Sequence, residues 1–257
     1  MTYYRLPVNL SVTPEYVLAV LRDSHRQQCQ FDPEADAHIE LTFETTIDEW
    51  RAACDLLECQ YLGRGLDTQW KLDRSSEVWC TVLEPAKERT LRELCEFIAL
   101  TARRPVIEPV IVLGRKCLAA SAFFVIRSML RNAGADVDSV TPSTPLDQYT
   151  RRHLGVFLGS ISKLAPGALP NVKLDTSLDD MSNVGLMLGL CIAFAGCFIS
   201  ALTATTGVIL ALVSWATPWL AAHYLPPPKA QFGSLRTFRD LAILVADGSR
   251  QWEGRGT

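Results

Sequence analysis

Residues Val184–Leu225 read VGLMLGLCIAFAGCFISALTATTGVILALVSWATPWLAAHYL, and none of these 42 positions is Asp, Glu, Lys or Arg. A helix that crosses a bilayer needs about 20 largely apolar residues to span a hydrocarbon layer of about 30 Å. The run is too long for one such helix and suits two joined by a short turn. Its midpoint falls in Thr203-Ala204-Thr205-Thr206-Gly207, the most polar and turn-prone part of the stretch. The reading is a two-helix transmembrane hairpin with spans at 184–203 and 207–225. The alternatives are a re-entrant hairpin and one buried in a soluble core, where helices usually keep a polar face.

Both flanks fit that reading. Asp179, Asp180, Ser182 and Asn183 offer caps to an entering helix, and Pro226, Pro227 and Pro228 stop the second. Trp215, Trp219 and Tyr224 are placed as interface anchors near the end of the second span, and Pro218 predicts a kink. Gly185, Gly189, Ala193, Cys197 and Ala201 recur every four residues, the small-residue ridge along which one membrane helix packs on another.

Outside the run the chain reads as an ordinary globular protein. It has 257 residues, 48% hydrophobic and 21% charged, with a net charge of −3. That composition excludes a disordered chain, and the near-neutral balance argues against a nucleic-acid partner. Residues 1–183 carry 20 basic and 25 acidic side chains, and residues 226–257 carry five basic and three acidic. Met1–Pro7 lacks the basic-then-apolar pattern of a signal peptide. With the basic tail, this places both termini in the cytosol and makes the chain an integral membrane protein of two spans.

The fold class expected is therefore a mainly α cytosolic domain, or α+β with two or three short strands, followed by the transmembrane hairpin. The domain covers 1–165, a linker 166–183, and a cytosolic tail with a short amphipathic helix 226–257. Thr13-Pro14 opens a helix that runs to about Arg26. His38–Phe43 alternates polar and apolar as a half-buried strand does. Thr46-Ile47-Asp48-Glu49 is a capping box that opens a second helix. Further helices are predicted over Leu62–Leu72, after Ser75 or Ser76, from Thr90 to about Thr101, over Cys117–Asn132 and over Leu146–Leu164, with an extended segment at Pro105–Leu113. Ser234 caps a tail helix with Leu235, Phe238, Leu241, Ala242 and Val245 on one face, for the membrane surface or for the domain.

Chemistry-bearing motifs are sparse. The eight cysteines form no CxxC pair and read as buried thiols, since an even count implies disulfides only in a small secreted chain. His25 and Cys29 share a helix face at metal-ligand spacing, with His38, Cys54 and Cys59 as the nearest further donors, too few for a metal site to be expected. No phosphate-cradling loop, nucleophile elbow or HExxH appears, so no catalytic residue and no cofactor is assigned. One cluster stands out in an acidic domain: Arg103, Arg104, Arg115, Lys116, Arg127 and Arg131 lie among 29 residues with Glu108 as the lone acid. Helical spacing would bring Lys116, Arg127 and Arg131 onto one ridge, suited to anionic lipid headgroups or a phosphorylated ligand. Pairing with the domain's surplus carboxylates is the simpler account.

The functional expectation is a membrane-anchored, non-catalytic protein acting through protein or lipid contacts of its cytosolic domain. Its partners are the lipid bilayer and either itself or another membrane protein. One alternative is a membrane-bound enzyme acting on a lipid or phosphorylated substrate through the basic residues and His153. Another is an oligomeric hairpin pore.

Overall fold

Thr13 ends an extended segment, and its hydroxyl accepts the Tyr16 N–H at 3.3 Å while Pro14 takes the first helical position. Helix α1 (Pro14–Gln28) follows and buries Tyr16, Val17, Leu18, Val20 and Leu21. The computed structural model describes residues 8–56, 58–112, 114–174, 205–206, 208–210, 212–215 and 229–253. Two compact units emerge, one of 1–173 with 231–257 and one of 174–230.

In the first unit, two capping boxes set two helices. Thr46 and Glu49 cap α2 (Ile47–Ala53), and Thr90 and Glu93 cap α5 (Leu91–Ala99). Between them lie α3 (Cys59–Trp70) and α4 (Ser76–Leu83). The main core is the meeting of their apolar faces with α1, including Val17, Leu21, Ile47, Trp79, Leu94 and Ile98. Close approach of α3 to α4 needs a glycine: a Cβ on Gly63 would sit 2.5 Å from the Trp79 Cβ. Cys59 and Cys80 tie the same two helices by a disulfide, which corrects the reading of every cysteine as a thiol. A cross-link over 21 residues stabilises by about 3 kcal/mol, chiefly by constraining the unfolded chain.

Among the described residues, three two-stranded sheets trim this helical body. Strands β1 (Val8–Ser11) and β2 (Arg103–Val106) pair antiparallel, Ser11 opposite Arg103, and β3 (Val110–Val112) pairs with β4 (Arg115–Cys117). Helices α6 (Leu118–Asn132) and α7 (Asp147–Gly155) follow. The helix expected to run unbroken to Leu164 breaks: His153 leaves helical geometry (φ −126°, ψ 31°), and a π turn at 156–161 and a 3-10 turn at 162–164 complete the segment. Strand β5 (Val172–Leu174) pairs with β6 (Ala230–Phe232), and α8 (Phe238–Glu253) closes the unit. The expected apolar face of α8, Phe238, Leu241, Ala242 and Val245, is buried, with Phe238 edge-on to Phe123 of α6 at 6.3 Å. Thr237 and Asp240, not Ser234, cap it: each accepts the other's backbone N–H.

Two further expectations fail. His38–Phe43 forms no strand; alternation needs a neighbouring strand to become a ladder, and the Thr42 N–H is taken by the Thr45 hydroxyl at 2.8 Å. More consequentially, no helix among the described residues is long and apolar enough to cross a membrane. The structure is mixed, mainly helical with small sheets, and the transmembrane hairpin, the integral-membrane placement and the two cytosolic termini inferred from it are not supported. Absence of charge is necessary for a span but does not make one, because a continuous helix of about 20 residues is also required. The described residues of the uncharged run, 205–206, 208–210 and 212–215, are helical; the first expected span, 184–203, lies wholly outside the described residues, as do 216–225 of the second.

Candidate functional site

The last two turns of α1 and its C-cap carry polar residues on one stripe, Arg22, His25, Arg26 and Cys29, while the opposite face is sealed in the core. The stripe continues into two cavities, and His25 lines both. One, of about 330 Å³, lies between α1 and α3 over α2. Trp50, Cys54, Tyr61, Leu62 and Leu66 wall it, with Ser24, Gln28 and Gln69 as polar lining. Gly65 also lines it, and a Cβ there would meet nothing within 4 Å. The other, of about 390 Å³, lies between the end of α1 and residues 37–41, with Arg22, Arg26, Cys29, His38 and Glu40 in its lining.

His25 is the pivot. It is 7% exposed, and its Nε2 lies 3.0 Å from the Asp36 carbonyl. A carbonyl oxygen only accepts, so the proton of the neutral ring sits on Nε2. Nδ1 is left as an acceptor with no donor among the described residues. Gln28 braces the same wall, its amide nitrogen donating to Asp32 Oδ2 and to the Cys54 carbonyl, each at 2.7 Å.

Neither nearby thiol is activated. Cys54 is pushed up to about 12, first by desolvation and then by the neighbouring Cys29. Desolvation is also the main cause raising Cys29, with Asp36 and Asp32 adding to it. Both stay as thiols at neutral pH and are poor nucleophiles. No group of three or more His, Cys, Asp or Glu among the described residues is arranged to hold a metal ion; Cys59 is spent in the disulfide.

Behind the α3 wall a second polar cluster locks the fold. The Lys163 ammonium sits 4.4 Å from the Trp70 ring centre and donates to the Gln69 carbonyl, while the Tyr16 hydroxyl donates to the Lys163 carbonyl. Burial, aided by the charge of Lys71, brings the Lys163 ammonium down to about 8. Burial likewise raises the Tyr16 phenol well above its ordinary value, against the lowering effect of Arg104.

The basic cluster does not converge. Arg103 donates to Ser11 at 2.8 Å, and Arg104 donates to the Trp252 carbonyl at 2.9 Å and lies over the Tyr16 ring. Arg115 and Lys116 are exposed on β4, so Lys116 is not on the α6 ridge with Arg127 and Arg131. Arg131 pairs with Asp138 at 2.7 Å, and Arg127 reaches the Asp138 carbonyl at 3.4 Å. His153 lines neither cavity. Of the residues assigned to membrane packing and anchoring, Gly185, Gly189, Ala193, Cys197, Ala201, Trp219 and Tyr224 lie outside the described residues, and Trp215 is helical and exposed.

The spacing of His25 and Cys29 marked one shared face in advance. Nothing local marked Trp50 of α2 or Tyr61, Gly65 and Leu66 of α3, which reach the site only because the fold sets those helices around the same cavity as α1. Comparison with protein-family models, curated proteins and solved structures finds no match to this chain.

Proposed function

We propose that this chain is a non-catalytic binding protein that holds a small, largely apolar molecule with one hydrogen-bond donor in the cavity between α1 and α3. The observation that carries the reading is His25: a largely buried ring with its Nε2–H committed to Asp36 and its Nδ1 given no donor among the described residues, at the edge of an apolar cavity of about 330 Å³. Cavities of roughly 300–1,000 Å³ with apolar walls and a few polar groups are the usual form of small-ligand sites. The protonated state of Cys29 and Cys54 supports binding over covalent chemistry.

Indole is a suitable probe, because it is flat, apolar and donates one N–H; naphthalene is the control without that donor. Calorimetric titration of the full chain is expected to give indole a dissociation constant below about 1 mM, which corresponds to about −4 kcal/mol. Naphthalene should bind several-fold more weakly. Tyr61→Ala removes an exposed wall without opening the core, and Gly65→Trp blocks the cavity; both should weaken indole at least tenfold. Absence of saturable indole binding, or indifference to both substitutions, refutes the reading.

A further inference from the structure

On its other side His25 borders the second cavity, whose lining sets two guanidinium groups and two imidazoles against the single carboxylate of Glu40. The two arginines are not equivalent. Arg26 is consumed: it donates to Asn171, to Asp23 at 2.5 Å and to the Leu169 carbonyl at 2.6 Å. Arg22 commits only its Nε, to the Leu41 carbonyl at 2.5 Å. Its Nη2 lies 3.9 Å from Glu40 Oε1, too far for a hydrogen bond, and the Glu40 side chain is 84% exposed. The Nη fork of Arg22 is therefore anchored at its base and unbonded at its tip among the described residues.

The remaining lining is compatible with a negative ligand. Cys29 contributes no charge as a thiol. Asp36 and Asp32, whose charges reach Cys29, lie outside the lining, and Asp36 Oδ1 accepts the His38 backbone N–H at 2.9 Å. The carbonyls that end α1 are already met, His25 by the Cys29 N–H and Gln27 by the Gln30 N–H, each within 3.1 Å, which blunts the negative end of the helix.

We propose that this cavity is a binding site for a phosphorylated small molecule, whose phosphate oxygens are taken by the Arg22 fork with His38 beside it, displacing the loose Glu40 carboxylate. A planar guanidinium matches two phosphate oxygens at once. At about 390 Å³ the space is in the range that holds a small organic body as well as its phosphate. The proposal does not depend on the apolar ligand of the neighbouring cavity; the two sites share only His25 in their linings.

The test is titration of the full chain with phenyl phosphate at constant ionic strength, with phenol and inorganic phosphate as controls. Affinity is read by calorimetry. Location is read from the ring protons of the four histidines, with His38→Gln identifying that signal. Phenyl phosphate is expected to bind saturably, more tightly than either control, and to move the His25 and His38 signals and not that of His153. Arg22→Gln should weaken it at least tenfold. Glu40→Gln, at an exposed side chain that the fold does not need, should tighten it about threefold, a gain that a purely structural Arg22 would not give. The proposal is overturned if no saturable binding occurs, if either control binds as tightly as phenyl phosphate, if the His38 signal does not move, or if Glu40→Gln leaves the affinity unchanged.

Discussion

The Ser162 hydroxyl donates to Asp23 Oδ2 at 2.9 Å across 139 positions of sequence, and the same carboxylate takes Arg26 Nη2 at 2.5 Å on its other oxygen. With Gln27, which donates to the Leu169 and Pro170 carbonyls and accepts the Val172 N–H, these contacts clamp the polar side of α1 to the segment 162–172. The Asp23 side chain is 1% exposed, so its partners must replace the water it gives up.

Removing that carboxylate should therefore be costly. Asp23→Ala leaves Ser162 without its acceptor and takes from Arg26 one of three partners, Asn171 and the Leu169 carbonyl remaining, so a loss of about 2–4 kcal/mol is expected. Ser162→Ala should cost less, about 1–3 kcal/mol, because Arg26 still faces Asp23. Urea unfolding of the two single variants and the double variant measures both losses and their coupling. Equal, additive losses under 1 kcal/mol would remove the clamp from the account of stability.

Two glycines of α3 should respond oppositely to alanine. A Cβ at Gly65 meets nothing within 4 Å, whereas one at Gly63 falls 2.5 Å from Trp79 Cβ and 2.9 Å from its Cγ. Gly65→Ala is expected to stabilise by about 0.5–1 kcal/mol through helix propensity. Gly63→Ala must push α4 away and should destabilise by about 1–3 kcal/mol. Thermal melts of the two variants check the opposite signs.

Lys163 predicts a pH dependence. Its ammonium is lowered from 10.5 to about 8 by burial, so between those values the unfolded chain holds more protons than the folded one. Stability from this group is therefore least below pH 8 and rises up to about 10.5. The full shift is worth about 3 kcal/mol. The stability difference between wild type and Lys163→Met isolates it, because the raised thiols Cys54 and Cys95 act equally in both chains. That difference should grow by about 2–3 kcal/mol from pH 7 to pH 10 in chemical denaturation, and a flat difference refutes it.

Elements set by neighbours in sequence were legible without the structure. Thr13-Pro14 and the capping box of Thr46 with Glu49 act over three residues, and the helices start where those residues stand. The amphipathic face of α8 was equally plain, although its cap was Thr237 with Asp240. His38–Phe43 misled because alternation specifies a strand only when another strand lies beside it. The break at His153 left no mark in the hydrophobic pattern, and Cys59–Cys80 left none in the cysteine count. Of the candidate site, only the shared face of His25 and Cys29 was visible.

What the amino-acid order determined alone was the run of helices and caps, the apolar faces and the uncharged block from Val184 to Leu225, since these follow from local hydrogen bonding and from side-chain hydration. What that block does was not among them, because lack of charge states a preference for burial and not the length or continuity of the helix that would satisfy it. Tertiary structure decided the Asp23–Ser162 clamp, the disulfide, the dispersal of the basic residues and the two cavities about His25. Each joins residues from separate elements, and only the packing of one helix on another sets those distances.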